Sequence, residues 1–153
     1  MSLPERKHPA KGVFDDDRLP TVILLTLCTA HRRSWLANQS VHDTLINVWL
    51  SATHWEVGPY FLMPDHLHLF AWPRALGTDF DGWVRFWKSI FSKTVRDHSL
   101  RWQTGCFHHR LRSCESAEEK RQYMIMNPVR AGLVNLPEEW PFQGQIFESA
   151  YLW

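Results

Sequence analysis

Apolar residues recur along this chain with two periods, and the switches between them mark the elements. Residues 21–29 form a β-branched, apolar run about a strand long, which predicts a central strand covered on at least one face. Val41, Leu45, Ile46, Trp49 and Ala52 then recur at helical spacing, with Asn38 or Ser40 placed to cap the helix. Val57-Gly58-Pro59 interrupts the pattern. Residues 60–63 and 66–72 are two short strand-like runs joined by Pro64-Asp65, and they predict a hairpin. Residues 73–79 predict a loop.

Helical spacing returns over residues 80–98. At about 100° per residue, Trp83, Trp87, Ile90, Phe91 and Thr94 fall on one side, and Arg85, Lys88, Ser89, Ser92 and Arg96 on the other. One side packs on a sheet. The other is either a solvated face or a basic, hydroxyl-bearing stripe able to follow a phosphate backbone. Residues 105–112 predict a fourth strand. Ser116-Ala-Glu-Glu119 has the form of a capping box. It opens a helix that carries Tyr123 and stops near Asn127, because Pro128 disfavours helical geometry at the residue before it. Gly132 fits a turn, and the segment from Leu136 to Gln145 is a tail punctuated by proline and glycine rather than a regular element.

The order is βαββαβ followed by a helix, which predicts an α+β, ferredoxin-like antiparallel sheet. Two helices cover one sheet face and leave the other open. The chain divides into a polar, flexible N-terminal arm over 1–18 and a single domain over 19–153.

Composition changes this picture little. Lys and Arg number 17 against 16 Asp and Glu, so net charge does not announce a nucleic-acid binder and any basic surface must be local. The acids concentrate at Asp15-Asp16-Asp17, from Glu115 to Glu119 and at Glu138-Glu139, leaving the middle of the chain more basic. Nine tryptophans and nine phenylalanines imply core packing for most and base stacking for a few; Trp102 and Trp140 are assigned to packing. Cys28, Cys106 and Cys114 are odd in number with no Cys-x-x-Cys spacing. That suits a reducing cytoplasm rather than a disulfide framework or zinc ribbon. Neither a signal peptide nor a membrane-spanning run is expected.

Two stretches carry the chemistry. In Met63-Pro64-Asp65-His66-Leu67-His68-Leu69-Phe70, strand alternation puts His66 and His68 on one face, where two imidazoles can share a divalent ion. In Tyr123-Met124-Ile125-Met126-Asn127, helical spacing makes Tyr123 and Asn127 neighbours. Asn127 offers a carbonyl oxygen as a third ligand, and a mixed nitrogen and oxygen shell suits Mn²⁺ or, less strongly, Mg²⁺. Tyr123 is then placed to attack a phosphodiester, given a metal, base or cation beside it.

These residues resemble a known family. Residues 64–70 look like the histidine-hydrophobic-histidine (HUH) motif of single-tyrosine transposases. Residues 123–134, Tyr-Met-Ile-Met-Asn-Pro-Val-Arg-Ala-Gly-Leu-Val, are similar to the tyrosine-helix signature of the REP-associated tyrosine transposases. Residues 83–93, 102–113 and 139–144 are similar to that branch at corresponding places, so the resemblance spans roughly residues 20–153. It implies an enzyme that binds a DNA hairpin formed by a palindromic repeat together with its single-stranded flank. His66, His68 and Asn127 would hold Mg²⁺ or Mn²⁺. Tyr123 would cut and rejoin single-stranded DNA through a 5′-phosphotyrosine link, with no need of ATP.

Arg85, Lys88, Lys93 and Arg96 are the candidates for DNA backbone contact. Arg130 is a further one, equally suited to bracing Asp65 or another acid. Two positions depart from related patterns. His108 stands where relatives often carry an acid in Phe-Asp-His-Arg-Leu-Arg. Asn127 stands where more distant single-tyrosine transposases commonly use glutamine, and asparagine there matches the REP-associated branch. The alternatives are a catalytically silent hairpin-binding protein, which intact His66, His68, Tyr123 and Asn127 disfavour, and a replication initiator or relaxase, which the small size disfavours. Monomer and homodimer both remain open, although the short link over 113–116 favours a tyrosine helix docked on its own subunit.

Overall fold

The strand predicted from the first apolar run extends over Val22–Cys28 (β1) and is buried on both faces, which is why its sequence reads as nearly continuous hydrophobics. It lies second in a five-stranded antiparallel sheet of order β4-β1-β3-β2-β5. The other strands are Trp55–Leu62 (β2), His66–Pro73 (β3), Phe107–Leu111 (β4) and Gln143–Gln145 (β5). The helices are Gln39–Ser51 (α1), Phe80–Val95 (α2), Cys114–Ile125 (α3) and the single turn Asn127–Arg130 (α4). This is a computed structural model describing residues 22–74, 79–111 and 114–148, without the side chains of 114 and 115. The arm proposed over 1–18 lies outside the described residues.

The first four strands keep the ferredoxin-like order expected of βαββαβ. Ile23, Leu25 and Leu27 of β1 alternate with Leu67 and Leu69 of β3 toward α1 and α2, and this face holds the larger core. The aromatic surplus is spent here. Trp87 meets Trp49, Trp83 and Trp102 edge-on, with ring centres 5.8, 6.3 and 5.7 Å apart. Each such pair adds about 0.5–1.5 kcal/mol beyond burial. Trp140 is buried and donates its indole N–H to the Leu62 carbonyl at 3.0 Å, so packing is its role.

The second sheet face is not left open. Val22, Leu24, Phe61, Phe70, Trp72 and Leu111 form a smaller core there, closed by Ala117 and Met124 of α3. The tyrosine helix therefore docks on its own sheet.

Asn38 caps α1, its side-chain oxygen accepting from the N–H groups of Ser40 and Val41 at 2.9 and 3.3 Å. Four other expectations need correction. Val57-Gly58-Pro59 does not break the chain: β2 runs through it with a bulge between Val57 and Tyr60, because the irregularity is absorbed in the ladder. Helix α2 ends at Val95, three residues early, with Arg96 in the left-handed conformation and Thr94 exposed. Helix α3 begins at Cys114, ahead of the capping-box serine, and ends at Ile125, with α4 resuming at Asn127. Pro128 is accommodated in the first turn of that new helix, where its missing N–H costs nothing. The tail, read as irregular, supplies β5 on the edge of β2. Gly144 permits this, since a Cβ there would come within 2.6 Å of the Tyr60 hydroxyl.

Candidate functional site

Strand alternation along β3 sends His66, His68, Phe70 and Trp72 to one face. Phe70 and Trp72 are covered by the smaller core, whereas the two histidines are only half buried. Their rings stand nearly perpendicular, 81° apart, with centres separated by 4.9 Å. Each ring is held through the same nitrogen. His66 Nδ1 lies 2.8 Å from Asp65 Oδ1, so it donates to the carboxylate, while Asp65 Oδ2 accepts from Arg32 Nε at 2.9 Å. His68 Nδ1 lies 2.9 Å from the Thr26 hydroxyl, its register partner on β1.

Both Nε2 atoms are left without a protein partner among the described residues. Orientation of one imidazole nitrogen by a carboxylate or hydroxyl, with the other left open, is the usual support of a metal-binding histidine. Burial, and then the neighbouring His66, push the His68 pKa down to about 3, so its imidazole is neutral and its lone pair available near neutral pH. Arg32 and His66 both hold Asp65 below its ordinary range against the opposing effect of burial.

Helix α3 packs on the same sheet face. Met124 anchors α3 against Phe61 and Phe70, and Phe61 lies opposite His68 in the β2–β3 register. Tyr123, one position before Met124, points away from that core and is 60% exposed, so its hydroxyl is accessible. Asn127 is half buried, its amide nitrogen 3.5 Å from Met124 Sδ. Arg130 ties the two together. Its Nη2 donates to the Tyr123 carbonyl at 2.7 Å and to Asn127 Oδ1, and its guanidinium lies 3.8 Å above the centre of the Tyr123 ring. The brace on Asp65 considered for Arg130 belongs instead to Arg32. Among the described residues no hydrogen bond, ion pair or ring contact joins the strand pair to the helix pair.

A basic groove of about 810 Å³ lies beside Asp65, with Arg32, Arg33, Arg101, His31, His98 and Trp102 among its lining. A second hollow of about 330 Å³ shares Arg101 and Trp102 with it and reaches Arg85 and Lys88 on α2. The local concentration of positive charge that net composition conceals is therefore here. Of the four lysine and arginine candidates on and just after α2, Arg85 and Lys88 line this surface. Lys93 and Arg96 are exposed outside both hollows. Lys88 is half buried, its ammonium donating to the Gln103 carbonyl at 3.2 Å, and burial lowers its pKa.

Sequence reasoning missed Arg33, Arg101, Thr26 and the link from Arg32 to Asp65. The run His31-Arg32-Arg33 is the signal the sequence offers for this groove. His31 and Arg32 adopt left-handed backbone at φ 55° and 54°, an unusual conformation held here by the bond from Thr29 Oγ1 to the Arg33 carbonyl at 2.7 Å.

No protein-family model matches the chain. It is 26% identical over 89 residues to the REP-associated tyrosine transposase of Escherichia coli (strain K12). The match covers 57% of this chain and 52% of that protein, so the chain spans about half the length of the curated relative. The solved structure of the REP-associated tyrosine transposase bound to a REP hairpin is similar in fold. Its TM-score is 0.74 at 23% identity, over 94% of this chain and 82% of that one. The resemblance carried by the motifs is thus matched by a curated relative and by a shared fold. No helix among the described residues is long and apolar enough to cross a membrane.

Proposed function

We propose that this chain is a hairpin-binding tyrosine transposase, a single-strand DNA endonuclease and strand-transfer enzyme formed by one domain over 19–153. The observation that carries the reading is that α3, which bears the exposed Tyr123 and is followed by Asn127, packs through Met124 on the sheet face to which His66 and His68 point. Each of those histidines has Nδ1 tied and Nε2 open.

The donor set fits a divalent ion such as Mg²⁺ or Mn²⁺, which His66 Nε2, His68 Nε2 and Asn127 Oδ1 would hold. When bound, it would neutralise charge developing on the phosphate oxygens. Asn127 Oδ1 has a second lone pair, so Arg130 can orient the amide and leave an acceptor position for the ion. The Arg32–Asp65 pair keeps His66 from rotating.

In the reaction, Tyr123 Oη loses its proton to solvent and forms a bond to the scissile phosphorus. The bond from phosphorus to the 3′ oxygen breaks, and that oxygen leaves as a hydroxyl after taking up a proton. The 5′-phosphotyrosine retains the bond energy, so attack by a 3′-hydroxyl reverses the step without ATP. Arg130, stacked above the ring, would hold the Tyr123 side chain in place for attack. The groove lined by Arg33 and Arg101, with the neighbouring hollow that reaches Arg85, would take the phosphate backbone of the hairpin or its flank.

The test is incubation of the full chain with labelled single-stranded hairpins of palindromic repeats and Mn²⁺. A covalent protein–DNA adduct is expected, lost in Tyr123→Phe with hairpin binding retained. Hairpin binding without any adduct would leave a catalytically silent binding protein, and an adduct that survives Tyr123→Phe would remove the nucleophile assignment.

A further inference from the structure

We propose that Asp81, Cys106 and His108 form a second cation site, for a thiophilic divalent ion such as Zn²⁺, on the sheet face opposite His66 and His68. It does not depend on the transposase reading, since none of the three residues enters that chemistry.

The three residues come from different places in the chain. Asp81 is in the first turn of α2, Cys106 immediately precedes β4, and His108 lies within β4. In register with Leu25 of β1, His108 points toward the larger core, where its ring packs edge-on against Phe80 with centres 4.8 Å apart. One ligand atom from each of the three lies within 4.8 Å of the others. His108 Nε2 and Asp81 Oδ1 are 3.1 Å apart. Two bonds to zinc of about 2.0–2.1 Å at a tetrahedral angle put nitrogen and oxygen roughly 3.3 Å apart, so this pair can close on an ion with a shift of a few tenths of an ångström.

The donor set is what selects the ion. A thiolate, an imidazole and one carboxylate suit zinc far better than magnesium or calcium, which want oxygen. The His108 side chain is only 2% exposed while that of Asp81 is 42% exposed. The site is therefore rigid on its histidine side and open to solvent on the other, where water can complete four-coordination. Lys88 lies within electrostatic reach of Cys106. His108 supplies the nitrogen ligand. A bound ion would tie the first turn of α2 to β4, the strand that leads into the tyrosine-bearing helix.

The experiment uses the full chain stripped of metal and titrated with Co²⁺. The expected result is a thiolate-to-cobalt charge-transfer band with tetrahedral cobalt absorption, displaced by Zn²⁺, together with a rise in melting temperature on adding Zn²⁺. The band should vanish in Cys106→Ser and survive in Cys28→Ser, Cys114→Ser and the double variant His66→Ala/His68→Ala. Asp81→Asn, at a partly exposed position that should not disturb folding, should weaken Co²⁺ binding at least about tenfold, the least expected even from losing a ligand's hydrogen-bond partner. Absence of a thiolate band in the wild-type chain, or a band that Cys106→Ser leaves unchanged, would overturn the proposal. The hairpin adduct is scored separately, so failure of either idea is distinguishable from failure of the other.

Discussion

Arg130 holds Tyr123 from two sides, stacking its guanidinium 3.8 Å above the ring while donating to the same residue's carbonyl at 2.7 Å. A third bond, to Asn127 Oδ1, makes this one side chain the link between the expected nucleophile and the expected third ligand. The helix breaks between them at Met126, so the bonds of Arg130 add to the backbone in fixing their relative position.

Replacing Arg130 with alanine should therefore reduce the single-turnover cleavage rate by about 10²-fold, the scale on which a preorganised cationic donor acts at a site of developing charge. Hairpin affinity should change much less. Arg130→Lys keeps the charge but not the planar, multidentate group, and should recover only part of the rate. Equal losses of rate and affinity in Arg130→Ala would mean that Arg130 acts mainly as a DNA contact.

The Asp65 carboxylate accepts from His66 and from Arg32. Asp65→Asn keeps the shape and loses the carboxylate, so Mn²⁺ affinity should fall by about 10–100-fold. Cleavage should return when Mn²⁺ is raised in proportion. A cleavage defect that excess Mn²⁺ does not relieve would separate Asp65 from the metal.

The groove gives a prediction about salt. Arg101→Ala and Arg33→Ala should each weaken hairpin binding and reduce by about one the slope of log affinity against log salt concentration. Lys93→Ala and Arg96→Ala, outside both hollows, should have smaller effects. Fluorescence anisotropy at several salt concentrations measures this, and a larger slope change for Lys93 than for Arg101 would move the DNA path onto the exposed end of α2.

Acid should destabilise the metal-free protein in a defined window. The His68 pKa falls from an ordinary 6.5 to about 3 in the fold, and that of His42 is also lowered by burial. Above about pH 6.5 both folded and unfolded forms are neutral at His68, and there is no contribution. Between 6.5 and about 3 the unfolded chain binds a proton that the folded chain does not, so stability falls as pH drops, by at most about 1.4 kcal/mol per unit for this group. Below about 3 its contribution levels off. Urea denaturation in the presence of a chelator should show this decline, and His68→Gln should make it shallower. An unchanged slope in His68→Gln would show that His68 is not held neutral.

Much of the molecule follows from the linear order of residues. The alternation that pairs His66 with His68 on a face, the apolar continuity of β1 and the βαββαβ order are all local or nearly local properties. Backbone geometry converts them directly into direction and element type. The ends of elements were less legible. The early stop of α2 at Arg96 and the restart of the helix at Asn127 depend on how the flanking segments pack. The bulge at Gly58-Pro59 and the pairing of Gly144 beside Tyr60 depend on a partner strand distant in sequence.

The sequence alone determined that His66 and His68 share a side and that Tyr123 and Asn127 lie about a turn apart. Fixed rise and twist per residue are enough for that. Only the tertiary structure decided that the helix bearing Tyr123 packs on the sheet face to which His66 and His68 point, because Met124 had to find the smaller core with Phe61 and Phe70. It also decided that Arg32, not Arg130, holds Asp65, and that Arg101 joins Arg33 in one groove. These contacts join residues more than thirty positions apart, and the burial that selects them exists only after the sheet has formed.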